Sequence, residues 1–150
     1  MISGEKRLNR NGIKIRRMTI RDYGKAAGLW KKTKGVGLDE SDDRKSINKY
    51  LKRNRGMSFV AYHGNKLAGA VLCGHEGRRG YLHHLAVAAE YRNRGLGKLL
   101  VERCLSALKK QKIPKCNLFL FSDNKKVRSF WLHNGWKMYP GLELVQKVIA

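Results

Sequence analysis

The stretch that most constrains this chain runs from Tyr81 to Lys112. Tyr81 to Ala88 (YLHHLAVA) is a β-type run, and a turn rich in arginine and glycine follows it. A helical stripe then starts at once, with Leu96, Leu99, Leu100, Cys104, Ala107 and Leu108 on one face from Gly95 to about Lys112. Pro114 punctuates its end. A strand that feeds straight into an amphipathic helix needs a sheet with a helix packed on it, so the fold class is α/β.

The flanking sequence extends the pattern in both directions. Gly12 to Thr19 alternates, with Ile13 and Ile15 inward, and predicts an edge strand. Ile20, Tyr23, Ala27 and Trp30 recur at helical spacing, and Asp42 or Asp43 can cap a second helix carrying Ile47, Tyr50 and Leu51, stopped by Gly56. Ser58 to Tyr62 and Lys66 to Gly74 predict a hairpin around His63-Gly64-Asn65. Asn117 to Phe121 predicts a buried strand of parallel type. Asp123-Asn124 caps a helix with Val127, Phe130 and Trp131 inside, and Gly135 stops it. Trp136 to Tyr139 and Leu142 to Val148 are read as two last strands. The expected architecture is a central mixed sheet of six to seven strands flanked by about four helices.

Composition sets the bounds. The 150 residues, 42% hydrophobic and 29% charged, suit one globular domain, read as residues 12–150, with residues 1–11 as a disordered lead-in. No apolar run approaches the roughly 18 residues of a membrane helix, so no membrane partner is expected. Cys73, Cys104 and Cys116 show neither CxxC nor metal-ligand spacing. They read as core residues of a reducing compartment, the cytoplasm being the default, and no metal is expected. The 33 Lys+Arg against 11 Asp+Glu give +22, a surface that attracts polyanions, nucleic acid among them. These charges are spread over every segment, and a merely solvated basic surface accounts for them equally.

The turn itself points to an anion. The N–H groups of a helix's first turn, reinforced by the macrodipole, form a site for phosphate groups. Gly95 and Gly97 let the backbone approach a pyrophosphate, while Arg92, Arg94 and Lys98 add charge. Neither GxxxxGK[ST] nor a βαβ start with GxGxxG is present, which sets aside a nucleotide P-loop and a dinucleotide fold.

With LAV before it and GKLL after it, the segment Val87 to Lys98 resembles the R/Q-x-x-G-x-G/A coenzyme A signature of the GNAT superfamily of N-acetyltransferases. Asn124 followed by Ser129-Phe130-Trp131-Leu132-His133-Asn134-Gly135-Trp136 is similar to that superfamily's N-x(4-5)-FYxxxGF ending. GHEGRRGYLHHLAV also resembles a subgroup of small microbial members without an assigned substrate. The likeness covers roughly residues 12 to 148. It implies acetyl-CoA as co-substrate and a backbone pairing of Leu85, Ala86 and Val87 with pantetheine. It further implies that the N–H groups of Arg92, Asn93, Arg94, Gly95, Leu96, Gly97 and Lys98 hold the pyrophosphate, with Asn124 and Trp131 at the pantetheine and acetyl end. Plain core packing explains Leu85 to Val87 and Trp131 as well.

The reaction so implied is attack of an amine on the thioester. A lysine amine costs about 4.6 kcal/mol to deprotonate at pH 7 and an α-amine about 1, so a base or desolvation is needed. His83 is the first choice, read as sharing the parity of Leu85 and Val87, one step before the cofactor stretch. Its structural alternative is a pairing with a strand neighbour. His84 is expected on the opposite face unless a bulge shifts the register, and Glu76 is a distant alternative. Trp131 stands where the superfamily has tyrosine, and an indole cannot reprotonate the thiolate, which leaves Tyr139, water or departure of the bare thiolate. The expected function is acetyl transfer to a primary amine of a small molecule or protein. A catalytically silent CoA-binding regulator and a basic RNA- or ribosome-associated protein are the competing readings. Either a monomer or a homodimer is compatible.

Overall fold

A computed structural model describes residues 12–150. The predicted lead-in of residues 1–11 lies outside the described residues. The chain forms two compact units, one ending at Phe119 and the other running from Leu120 to Ala150.

The first unit is a five-stranded sheet in the order β1 (Ile13–Arg17), β2 (Phe59–His63), β3 (Lys66–His75), β4 (Arg79–Val87), β5 (Lys115–Leu118). The first four strands run antiparallel, and β5 lies parallel to β4. Helices α1 (Tyr23–Lys32) and α2 (Arg44–Arg53) link β1 to β2, and α3 (Leu96–Lys110) makes the crossover from β4 to β5. Parallel neighbours require such a crossover.

Each face of the sheet has its own helices. Ala70, Leu72 and Ala86 join Trp30 and Ala26 of α1 and Ile47 of α2 in one core. On the opposite face α3 buries Leu96, Leu99, Leu100, Cys104 and Leu108. Alternation along β3 separates the two layers, since a Cβ on Gly69 would meet Leu100 while Ala70 belongs to the α1/α2 core. At Gly80 the helix comes so close that a Cβ would stand 2.5 Å from Leu108.

Local signals place the helix ends. Asp43 accepts from the Ser46 N–H at 2.8 Å and starts α2. In the second unit Asn124 accepts from the Val127 N–H at 3.2 Å and starts α4 (Lys125–His133), and Gly135, at φ +87°, follows its end.

The strands after residue 113 differ from expectation. The strand predicted over 117–121 forms instead over Lys115–Leu118, and Phe119 and Phe121 are exposed rather than buried. No strand forms over 136–139 or 142–148, so the described residues hold five strands rather than six or seven. A strand needs a partner edge for its N–H and C=O groups. β5 is four residues long, and Gly141, at φ +89°, falls in the connection between the two runs. Leu142, Leu144, Val145 and Val148 are exposed.

Candidate active site

The decisive local feature is a bulge in β4. Ala86 pairs with Ala70 and His83 with Leu72, so β4 spends one residue more than β3 over the same interval. His84 carries the strain at φ +55°, left-handed backbone for a residue that is not glycine. The bulge overturns the expected parity. His83 falls on the face of Ala86, opposite the face of Val87, which pairs with Gly69. It also brings the His84 ring to the His83 side, the two ring centroids standing 6.4 Å apart.

That face is densely aromatic. His83 meets Tyr50 of α2 edge-on at 6.3 Å and lies near-parallel to Tyr81 and Phe119, each at 6.5 Å, and those two rings stand 6.0 Å from each other. His84 packs against Trp30 at 5.1 Å, and its Nε2 lies 2.7 Å from the Asp42 carboxylate. Asp42 is held from two further directions. Its other oxygen accepts from the Asp39 N–H at 3.0 Å, and its backbone carbonyl accepts from the Tyr23 hydroxyl at 2.8 Å. A carboxylate only accepts, so Nε2 of His84 carries the proton and, in the neutral ring, Nδ1 keeps a lone pair.

Burial lowers the His83 pKa from its ordinary value, the neighbouring His84 lowers it further, and Asp42 offsets part of this. A neutral imidazole at physiological pH is the form a base requires. Among the described residues no hydrogen-bond partner engages either of its ring nitrogens. Beside the two imidazoles, Trp30 Nε1 and the Tyr50 hydroxyl are buried with no partner. Each such orphan costs on the order of 1–3 kcal/mol unless a ligand or water satisfies it. Burial also keeps the Tyr50 hydroxyl protonated.

Glu76 is unsuited to base work. Hydrogen bonds from Arg78 draw its pKa down to about 2, and it accepts from the N–H groups of Arg78 and Arg79 as well. Sequence reasoning missed Asp42 as a functional partner, because 42 residues separate it from His84 and only the fold joins them.

The cofactor side begins where β4 loses its neighbour. Pairing with β5 ends at Leu82–Leu118, yet β4 continues to Val87. The Ala88 N–H goes to the Ala68 carbonyl at 2.8 Å. Alternation therefore turns the N–H and C=O of Val87 away from β3, to the side where β5 has ended. Arg92 folds back and donates through Nε to the Val87 carbonyl at 2.9 Å, which leaves the N–H facing the splay.

Past a 3-10 turn at Ala89–Tyr91, Asn93 and Gly95 both take positive φ, +62° and +82°. Gly95 is the N-cap of α3, and no side chain caps the helix. The first-turn N–H groups of Leu96, Gly97 and Lys98 have no intrahelical acceptor, and a Cβ at Gly95 would meet only open space. An open, uncapped, positively polarised helix start fits a diphosphate, with Arg94 and Lys98 at its rim.

Asn124, Trp131 and Tyr139 belong to the second unit. Asn124 Oδ1 is engaged as the α4 cap. Trp131 is buried, with Phe130 at 5.0 Å and Trp136 at 4.9 Å, and Tyr139 is exposed beneath the Lys137 ammonium.

A helix-flanked mixed sheet whose bulged, splayed strand runs into an uncapped glycine turn defines an acyl-CoA-dependent transferase. The sequence matches the model of the acetyltransferase (GNAT) family over residues 24–136, and the chain belongs to that family. It is thus an acetyl-CoA-dependent acyltransferase. It is 26% identical to acetyltransferase SG1711 of Sodalis glossinidius over 135 residues, 90% of this chain and 94% of that protein. Two solved structures share the fold. PaiA N-acetyltransferase from Thermoplasma acidophilum, in complex with coenzyme A, is 23% identical with a TM-score of 0.72, covering 85% of this chain and 91% of that one. Ard1 from Thermoplasma volcanium is 16% identical with a TM-score of 0.75, covering 85% and 84%.

Proposed function

We propose that this protein transfers the acetyl group of acetyl-CoA to a primary amine of a small molecule or a protein, with His83 as general base. The β4 bulge carries the reading. It sets His83 and His84 on the α1/α2 face while the Val87 N–H stays turned to the splay. Backbone groups at Leu85 and Val87 hold pantetheine, with Ala86 between them spending its own groups on β3, and the N–H groups from Asn93 to Lys98 hold the diphosphate, that of Arg92 being turned to the Ala89 carbonyl.

The amine arrives as an ammonium ion, and His83 takes one proton. The freed lone pair attacks the thioester carbon, and the developing oxyanion meets the Val87 N–H. The C–S bond then breaks, the thiolate takes its proton from Tyr139 or from water, and the nitrogen gives its second proton to the tyrosinate or hydroxide so formed, which leaves the neutral amide. His84, fixed by Asp42, is a positioning residue for the acceptor. Asp39, Glu40, Asp42 and Asp43 form an acidic segment in a chain of +22, and such a segment favours a cationic amine on this face. Asn124 and Trp131 keep the roles the family motif implies at the thiol end. The three free cysteines agree with a cytoplasmic location.

Thiol release from acetyl-CoA over a panel of diamines, amino sugars and peptides tests the reading. Turnover with at least one amine, abolished in His83→Ala, supports it. Tight acetyl-CoA binding without turnover on any amine favours the silent regulator, for which the tryptophan at 131 speaks. A Tyr139→Phe variant apportions the acid step. A loss in kcat beyond about tenfold assigns the proton to Tyr139, and near-normal turnover assigns it to water.

A further inference from the structure

Beyond the acetyl-transfer site, the first unit carries a second concavity. It has a volume of about 400 Å³ and lies between the end of β1, the turn after α2 and the C-terminal half of α3. Of its eleven lining residues five are basic, Arg16, Arg17, Arg55, Arg103 and Lys110, and none is acidic. The glycine turn that starts α3 is far away. At 1.5 Å per residue, Gly95 and Ala107 are about 18 Å apart along the helix. The cavity is therefore no part of the diphosphate cradle.

The five cations come from three separate places in the fold, so their convergence does not follow from the periodicity of one helix. The α3 macrodipole works against an anion here, because this is the negative end of the helix. Any attraction must come from the side chains. Arg16 is already paired, with both oxygens of the buried Asp22 at 2.7 and 2.9 Å, and it serves as a fixed edge. Arg17 lies over the Gly56 turn, its guanidinium carbon 3.4 Å from where a Gly56 Cβ would stand. Like charges gathered in one hollow repel, and a bound polyanion converts that repulsion into attraction. Guanidinium forks match phosphate oxygens two at a time.

We propose that this cavity is a second anion site, one that takes successive phosphate groups. Their source is a free oligophosphate or the backbone of a single-stranded RNA.

The test uses the full-length protein saturated with acetyl-CoA, so that the first site is filled. Binding of inorganic tripolyphosphate and of a short single-stranded RNA is measured by calorimetry at low salt. The Arg55→Ala/Lys110→Ala variant is expected to weaken tripolyphosphate at least about tenfold, as the loss of two charge-assisted contacts implies. Lys31→Ala/Lys34→Ala removes the same charge from exposed positions at the end of α1, outside the cavity lining, and is expected to change binding less than about twofold. RNA that competes with tripolyphosphate identifies a nucleic-acid backbone as the ligand, and RNA that does not compete identifies a free oligophosphate. Equal losses in the two variants, or no tripolyphosphate binding at low salt, would overturn the proposal.

Discussion

The β4–α3 junction and the tail after Gly135 look alike as strings and differ as structures. Both combine apolar runs with glycines and basic residues. At the junction every signal is consumed locally. A strand already paired with β3 ends, Gly95 takes φ +82°, and α3 begins within one residue. In the tail the runs over 136–139 and 142–148 have β-type composition, yet they lack strand structure and leave Leu144, Val145 and Val148 exposed. A turn or a cap is fixed by residues a few positions apart, whereas a strand depends on an edge formed elsewhere.

If that contrast holds, damage to the junction should strike activity, and removal of the chain beyond Leu142 should not. The largest effect is expected for His83→Ala. Its kcat should fall about 10²- to 10⁴-fold, as for loss of a general base, while acetyl-CoA affinity by calorimetry stays unchanged. Gly95→Ala comes next. No atom obstructs the added methyl, so the penalty is backbone strain of about 1–2 kcal/mol, read as roughly tenfold weaker acetyl-CoA binding.

A smaller effect sharpens the role of the bulge. His83 titrates below its ordinary value, so the acid limb of kcat/KM should fall below about pH 6.5. Activity is present above this limb and lost as pH drops through it. His84→Gln removes a neighbour that depresses His83, while Asp42 and Tyr50 remain beside it. The limb should therefore move to higher pH, with KM for the amine raised and acetyl-CoA binding intact. The smallest effect is expected in the tail. Ending the chain at Leu142 should lower unfolding free energy by less than about 1 kcal/mol in urea titration. A large loss would mean that the tail is built into a sheet after all, and the comparison would fail.

Much of the site was legible from chemistry written in short spans. Asp43 and Asn124 announce their helices because a side-chain oxygen and an N–H three residues on suffice. Gly95 announces the turn because few other residues take its φ readily. The bulge was not legible in the same way. Its strained residue is a histidine, and the adjacent pair His83-His84 can be read in either parity until the partner strand is known. The His84–Asp42 contact was hidden for a related reason, because it exists only after α1 and α2 have packed on the sheet. Basic residues spread evenly along the chain likewise gave no hint that five of them line one hollow.

The most direct test of the account follows the backbone amides of ¹⁵N-labelled protein during titration with coenzyme A. The resonances of Val87, Gly95, Leu96, Gly97 and Lys98 are expected to shift most and together, and pantetheine, which lacks the diphosphate, is expected to move Val87 but leave the helix start in place. Unmoved amides at Gly95 to Lys98 under saturating coenzyme A would contradict the account.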